Sequence, residues 1–225
     1  MSASFRALAR RAAARYPPRD RYARLFAYGK LTRDPVFEHI LERGLVPRDS
    51  RLLDIGCGQG LLAALLAADG RHGRWRYRGI DLGARDVERA RHAAGPAGDL
   101  VVGDIRSVPF GAADVAILLD VLHYVEPEAQ SGVLRRVRES LEGGGTLVMR
   151  VADAGGGLRF RITTAIDLAS ARMRGHRVKG LHHVPLDQRL RELESHGFRV
   201  EAIPMSKGTP FANVLLVARY DPKDP

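Results

Sequence analysis

The chain has 225 residues and 24.7 kDa, enough to bury a core of its own without a disulfide or metal staple. Its 45% hydrophobic and 28% charged residues exclude a mainly disordered chain, and its single cysteine, Cys57, excludes a disulfide framework or a multi-cysteine metal site. A formal charge of +10 suggests an acidic partner, yet the basic residues are nearly all arginine, and with abundant alanine and glycine this equally fits a GC-rich coding bias. No apolar run reaches the ~18 residues of a membrane span, and a cytoplasmic globular protein is expected.

The first nineteen residues hold arginines and no acid, but Phe5, Leu8, Ala9, Ala12 and Tyr16 recur at helical spacing. This predicts a helix packed on a domain rather than a transit peptide, ended by Pro17-Pro18. Helical stretches follow at 21–28 and 35–43, separated by Gly29, the second opened by Asp34 as cap and Pro35 at the first helical position. From Arg51 strands alternate with helices: strands at 51–55, 74–80, 99–102, 115–119 and 146–151, helices at 59–69, 84–94 and 128–142. That alternation implies a parallel sheet covered on both faces. After Gly155 come a helix over 158–174, a polar loop with His182 and His183, a helix over 186–196, and strands at 198–204 and 213–220. The closely linked last pair predicts an antiparallel edge on the sheet.

The strongest local signal is Leu52-Leu53-Asp54-Ile55-Gly56-Cys57-Gly58-Gln59-Gly60, a strand running into a glycine turn and then a helix. The spacing fails the dinucleotide pattern, because a small residue is needed at 61 and Leu61 stands there; no Gly-Lys-Ser/Thr follows either. Three carboxylates flank the turn: Asp54 before it, Asp81 at the end of the second strand, Asp104 after the third. They would repel a phosphate and attract a cationic, hydroxyl-bearing ligand. Asp81 stands where an acid accepts from both ribose hydroxyls in related sheets, and Asp104-Ile105 could present a carboxylate and an amide to an adenine edge. S-adenosylmethionine satisfies all three.

On LLDIGCGQG, YRGIDLG, VVGDIRSVPF, ADVAILLDVLHYV and GGGTLVMR the sequence resembles the class I S-adenosylmethionine-dependent methyltransferases, over about 51–151 and again at 198–220. The resemblance implies an α/β, Rossmann-like three-layer sandwich with a seven-stranded, mostly parallel sheet whose last strand is antiparallel. Residues 1–46 are then an N-terminal helical lid and 47–225 the methyltransferase domain, with 152–197 an insertion that shapes the acceptor site. The cofactor-binding set implied is Asp54, Gly56, Cys57, Gly58, Gly60, Asp81, Leu82, Asp104, Ile105, Asp120 and Val121, with Tyr28 and Lys30 from the lid.

Methyl transfer from a sulfonium needs alignment above all, and a base only if the acceptor must lose a proton. His123, with Tyr124 beside it after the fourth strand, is the candidate base; its other reading is packing near the cofactor. His182 and His183 are candidate acceptor contacts, and no metal site is expected. No Asn/Asp-Pro-Pro-Tyr motif, spare cysteine or lysine cluster marks a nucleic-acid enzyme, so a small-molecule acceptor is expected. GKLTRDPVF followed by LLDIGCGQGLL resembles small methyltransferases of bacterial pigment and aryl polyene pathways. That resemblance implies a phenol, carboxylate or aromatic/acyl acceptor and an acidic acyl carrier protein as partner. The alternatives are an RNA methyltransferase using the arginine surface and a non-catalytic cofactor-binding protein.

Overall fold

Two compact units, residues 1–107 and 108–225, make up the computed structural model. It describes residues 1–70, 76–96, 98–141, 143–153, 155, 157–173, 180–206 and 208–222.

In the first unit α1 (Ala3–Ala14) is capped by Ser2, whose Oγ accepts from the Phe5 amide at 3.2 Å. Its apolar stripe, Phe5, Leu8, Ala9 and Ala12, is buried with Tyr16, and the helix packs on α2 (Arg21–Arg33) and α4 (Leu61–Asp69). The buried faces of α1 and α2 thus contribute to the core of this unit. Helix α2 does not stop at Gly29 as predicted; it runs five residues past Tyr28 to Arg33. An isolated glycine costs a helix only about 1 kcal/mol, whereas proline restricts the residue before it more strictly. Asp34 accordingly closes α2 and caps α3 (Pro35–Glu42), its Oδ1 accepting from the Val36 amide at 3.2 Å.

Strands β1 (Arg51–Ile55), β2 (Arg76–Asp81) and β3 (Gly98–Val102) pair in parallel, with Ile55 opposite Ile80 and Ile80 opposite Val101. Residues 74 and 75 of the predicted second strand lie outside the described residues. Helix α4 buries Leu62 through Leu66, and α5 (Ala84–Ala94) buries Val87, Ala90, Ala93 and Ala94.

The second unit holds β4 (Val115–Leu119), a short 3-10 turn at Leu122–Tyr124, α6 (Pro127–Ser140), β5 (Gly145–Ala152), α7 (Leu158–Met173), α8 (Leu186–Ser195), β6 (Phe198–Pro204) and β7 (Asn213–Tyr220). β4 and β5 are parallel; β7 is antiparallel to both β5 and β6. The sheet order is β3-β2-β1-β4-β5-β7-β6, the predicted seven strands with the last one antiparallel. The last pair forms the antiparallel edge that the sequence predicts, with β7 inside and β6 outermost. Composition explains the order of the two. Val214 to Ala218 is an unbroken buried run suited to an inner strand, while Phe198–Pro204 alternates and ends in a proline that an inner strand would not tolerate. Among the described residues no helix is long and apolar enough to cross a membrane.

Candidate functional site

The first unit presents the glycine loop at the carboxyl end of β1. Gly56, Gly58 and Gly60 have φ of 74°, 53° and 74°, the left-handed region where a side chain is strained. Backbone bonds tie the turn to β2: the Ile80 carbonyl accepts from Gly56 at 2.7 Å and Cys57 at 3.1 Å. Asp81 completes the tie, one oxygen accepting from the Gly58 amide and the other from the Gly83 amide, each at 2.8 Å. Each oxygen keeps a lone pair for a further donor, so the fixed carboxylate can still accept from a ligand hydroxyl.

The glycines divide by what replaces their side chains. A Cβ at Gly58 would meet nothing within 4 Å, leaving a bare backbone face that a ligand can approach. A Cβ at Gly60 would lie 2.8 Å from Ala90 Cβ and 2.9 Å from Ala90 Cα, so this glycine lets α4 and α5 close together.

Asp54, expected to face the cationic ligand, is instead buried, and Tyr77 Oη donates to its Oδ2 at 2.6 Å. Burial pushes its carboxyl up to about 7 against the Tyr77 hydrogen bond, with the neighbouring Asp81 charge adding to the rise. Tyr16 Oη donates to the Gln59 carbonyl at 2.9 Å, and both tyrosines are sealed in the core. The sequence does not signal these two hydroxyls, which brace the loop from behind; by spacing alone Tyr16 is one more member of an apolar stripe. The Cys57 thiol is also buried, with burial raising its pKa, and a Cβ at Gly79 would come within 3.0 Å of its Sγ.

Asp54 has a measurable consequence. Its folded-state pKa lies above the ordinary 3.8, so the unfolded chain releases the proton first. Its stabilising contribution is full below pH 4 and is lost as pH rises through 7. Asp54→Asn keeps an acceptor for Tyr77 and removes this dependence, so thermal melts should show the wild type losing stability relative to the variant between pH 4 and 7. A constant difference across that range would contradict the assignment.

Of the remaining first-unit candidates, Leu82, Asp104 and Ile105 follow the ends of β2 and β3, and Tyr28 and Lys30 lie on α2. Asp104 is held by the Arg106 side chain, Nε at 2.9–3.0 Å, and accepts from the Arg106 amide at 2.8 Å; the guanidinium keeps its carboxyl below the usual range. Ile105 is buried, while Leu82 is 62% exposed, an apolar surface directly after Asp81. Lys30 pairs with Asp34 at 2.8 Å, and Tyr28 is half-buried.

The second unit gathers its own cluster after β4. Asp120 holds φ of 56°, an unusual conformation for a residue with a side chain. Arg150 of β5, almost fully buried, donates from Nε to Asp120 Oδ1 at 2.7 Å and pairs with the other oxygen through Nη2. Val121 stands at the start of the 3-10 turn, its carbonyl accepting from the Tyr124 amide at 3.1 Å. His123 is buried; its carbonyl accepts from the His182 amide at 2.7 Å, and Gln130 Nε2 donates to the His182 carbonyl at 2.8 Å, fixing the histidine-bearing segment. The His123 ring stacks on His183 at 5.1 Å, and Phe160 meets His183 edge-on at 4.9 Å. His123 Nε2 lies 3.7 Å from Asp167 Oδ2, and Tyr124 Oη donates to the Asp167 carbonyl at 3.2 Å. Burial, with His182 next, lowers the His183 pKa.

The structure thus brings His123, Tyr124 and His183 together, as the sequence could not. It adds Phe160, Asp167 and Arg150, which sequence reading passed over. Phe160 and Asp167 are seven apart on α7 and share a face, the one signal that was available.

Residues 53–149 match the family model described as "Methyltransferase domain". The match runs from β1 into β5 and covers less than half of the chain. Similar curated proteins carry the name carboxy-S-adenosyl-L-methionine synthase. One from Chromohalobacter salexigens is 32% identical over 105 residues, covering 44% of this chain and 39% of that protein. One from Escherichia coli is 27% identical over 116 residues, covering 49% and 47%. The chain therefore spans less than half the length of these relatives. Among solved structures, the magnesium protoporphyrin IX methyltransferase of Synechocystis PCC 6803 with bound SAH superposes at a TM-score of 0.62 with 18% identity, covering 86% of this chain and 84% of that one. An O-methyltransferase family protein from Burkholderia thailandensis gives 0.63 with 20% identity, covering 90% and 61%. The feature shared with these two structures is the fold.

Proposed function

We propose that the protein transfers the methyl group of S-adenosylmethionine to a small-molecule acceptor by in-line displacement. The observation that carries this reading is Asp81, a carboxylate fixed at the end of β2 with acceptor capacity to spare, beside the bare backbone of Gly58. Asp81 holds the ribose, Leu82 covers one adenine face, and Ile105 with Asp104 meets the adenine edge, Asp104 sharing its charge with Arg106. Asp54 and Gly60 support the loop without touching the cofactor.

When bound, the cofactor supplies an electrophilic methyl group on a sulfonium. The chain's part is to align the acceptor, an effect worth roughly 7–11 kcal/mol of barrier. Where the acceptor is a phenol, its proton passes to His123, whose Nε2 lies 3.7 Å from Asp167 Oδ2. A carboxylate acceptor needs no such step, and an aromatic or acyl intermediate is the third class this reading covers. His183 and Phe160 provide an aromatic wall for the acceptor.

Calorimetric titration of S-adenosylmethionine and its demethylated product tests the cofactor assignment, followed by measuring the demethylated product formed with phenol and carboxylate acceptors. The expected result is micromolar binding, turnover with one acceptor class, and about 10²–10⁴-fold slower phenol methylation in His123→Asn at unchanged cofactor affinity. Binding with no turnover on any acceptor would leave a cofactor-binding protein without catalysis; no binding, with or without acceptors, would sink the reading.

A further inference from the structure

Net charge is not spread along this chain. Residues 1–33 contain nine basic residues and one acid, Asp20, so they carry +8 of the total +10, and the other 192 residues are close to neutral. A coding bias toward arginine would raise the arginine content everywhere; it does not explain an excess confined to the first 33 residues. Asp20 does not offset it locally, because both its oxygens accept from Arg89 of α5, at 2.7 and 3.3 Å. Arg6, Arg10 and Arg11 on α1 and Arg21 and Arg33 on α2 are all exposed.

Helix α2 is also apolar on two opposite sides. Ala23, Ala27 and Leu31, four apart, are buried. The face turned away from them carries Tyr22, Leu25 and Phe26, exposed to 52%, 70% and 36%, and the same arc includes Arg21 and Arg33. Single exposed apolar residues need no explanation, but three large ones on adjacent turns of one helix form a patch. Tyr22 and Phe26 stack at 6.0 Å, so the patch is organised on the helix surface.

We infer that the α1–α2 pair docks this protein on an anionic lipid bilayer. Arginines would pair with lipid phosphates while Leu25, Phe26 and Tyr22 enter the boundary between headgroups and acyl chains, as in helices that lie in a membrane interface. The most exposed member of the patch favours lipid over other polyanions. Leu25 is aliphatic, so it offers a nucleic acid no ring to stack on, and polyanion binding gains nothing from it.

The test is co-sedimentation of the full chain with phosphatidylcholine vesicles, with and without phosphatidylglycerol. Binding is expected only to the vesicles containing phosphatidylglycerol, and it should weaken as salt rises. Leu25→Ser with Phe26→Ser, which leaves every charge in place, should weaken binding at least tenfold; Arg21→Gln with Arg33→Gln should weaken it about tenfold or more. All four side chains are exposed, so the melting temperature should not move, which separates lost docking from lost fold. Failure to bind vesicles containing phosphatidylglycerol overturns the inference. So does binding that the Leu25/Phe26 pair leaves unchanged, since docking would then be purely electrostatic. Retention on polyuridylate or polyglutamate without vesicle binding would assign the surface to a nucleic acid or an acidic protein instead.

Discussion

Asp81→Ala should weaken S-adenosylmethionine binding by about 10²–10⁴-fold while the protein remains folded. Hydrogen bonds to a charged group contribute about 1.5–3 kcal/mol each, and two bonds from a ribose diol would be lost together. The same carboxylate also holds the Gly58 and Gly83 amides at 2.8 Å, so its removal loosens the loop as well as the ribose contact. Asp81→Asn separates the two contributions. It keeps one neutral acceptor oxygen, and its amide nitrogen would oppose one of the two loop amides, so its affinity should fall between wild type and alanine. Calorimetric titration of the three proteins, with thermal melts alongside, reads both effects. Unchanged affinity in Asp81→Ala would remove the central residue of the proposed cofactor site.

Gly60→Ala should have the larger effect on stability and Gly58→Ala the larger effect on binding, although the two residues stand two apart in one motif. At Gly60 the added Cβ meets Ala90 Cβ at 2.8 Å and Ala90 Cα at 2.9 Å, and a backbone atom cannot swing away as a side-chain tip can. The left-handed φ of 74° adds a further cost. Overpacking costs about 1–3 kcal/mol and the backbone conformation about 1–2 kcal/mol, so a loss of about 2–5 kcal/mol is expected. For a chain of this size that lowers the melting temperature by on the order of 10 °C. At Gly58 the φ is 53° and the space is open, so only the conformational cost applies to the free protein. The methyl group would stand on the face proposed for the cofactor, and titration should show weakened binding. Equal melting temperatures for the two variants would contradict the division of roles between these glycines.

Much of the architecture is legible in the sequence, because it rests on local patterns. Apolar runs of strand length alternating with helical periodicity marked β1 to β5, and Asp34-Pro35 marked the junction of two helices. One difference arose where a local signal competed with a stronger neighbour. Gly29 looked like a break, but α2 continued to the residue before Pro35. The last two strands form the antiparallel edge pair that the sequence predicts, and the unbroken apolar run of β7 suits the inner place beside β5, with β6 outermost.

The candidate site was legible in proportion to how local its signals were. Asp81 and the three glycines are recognisable from spacing alone. Whether Asp54 turns outward or inward depends on Tyr77, which lies 23 residues away and reaches it only because β1 and β2 pair in register. Gly60 depends on Ala90 in the same way. His123, Asp167 and His183 are separated by 44 and 16 residues and meet only through the folding of α7 and the segment before α8.

The sequence by itself determined the alternating elements, the glycine turn with its acidic partner Asp81, and the concentration of positive charge before residue 34. Each is written in the order and spacing of neighbouring residues, and backbone sterics and hydrophobic periodicity act over that range. Only the tertiary structure decided which carboxylate is buried, which glycine packs against a helix, which strand forms the edge, and which side chains surround His123. Those outcomes depend on desolvation and contact between residues far apart in the chain, and both exist only once the chain has folded.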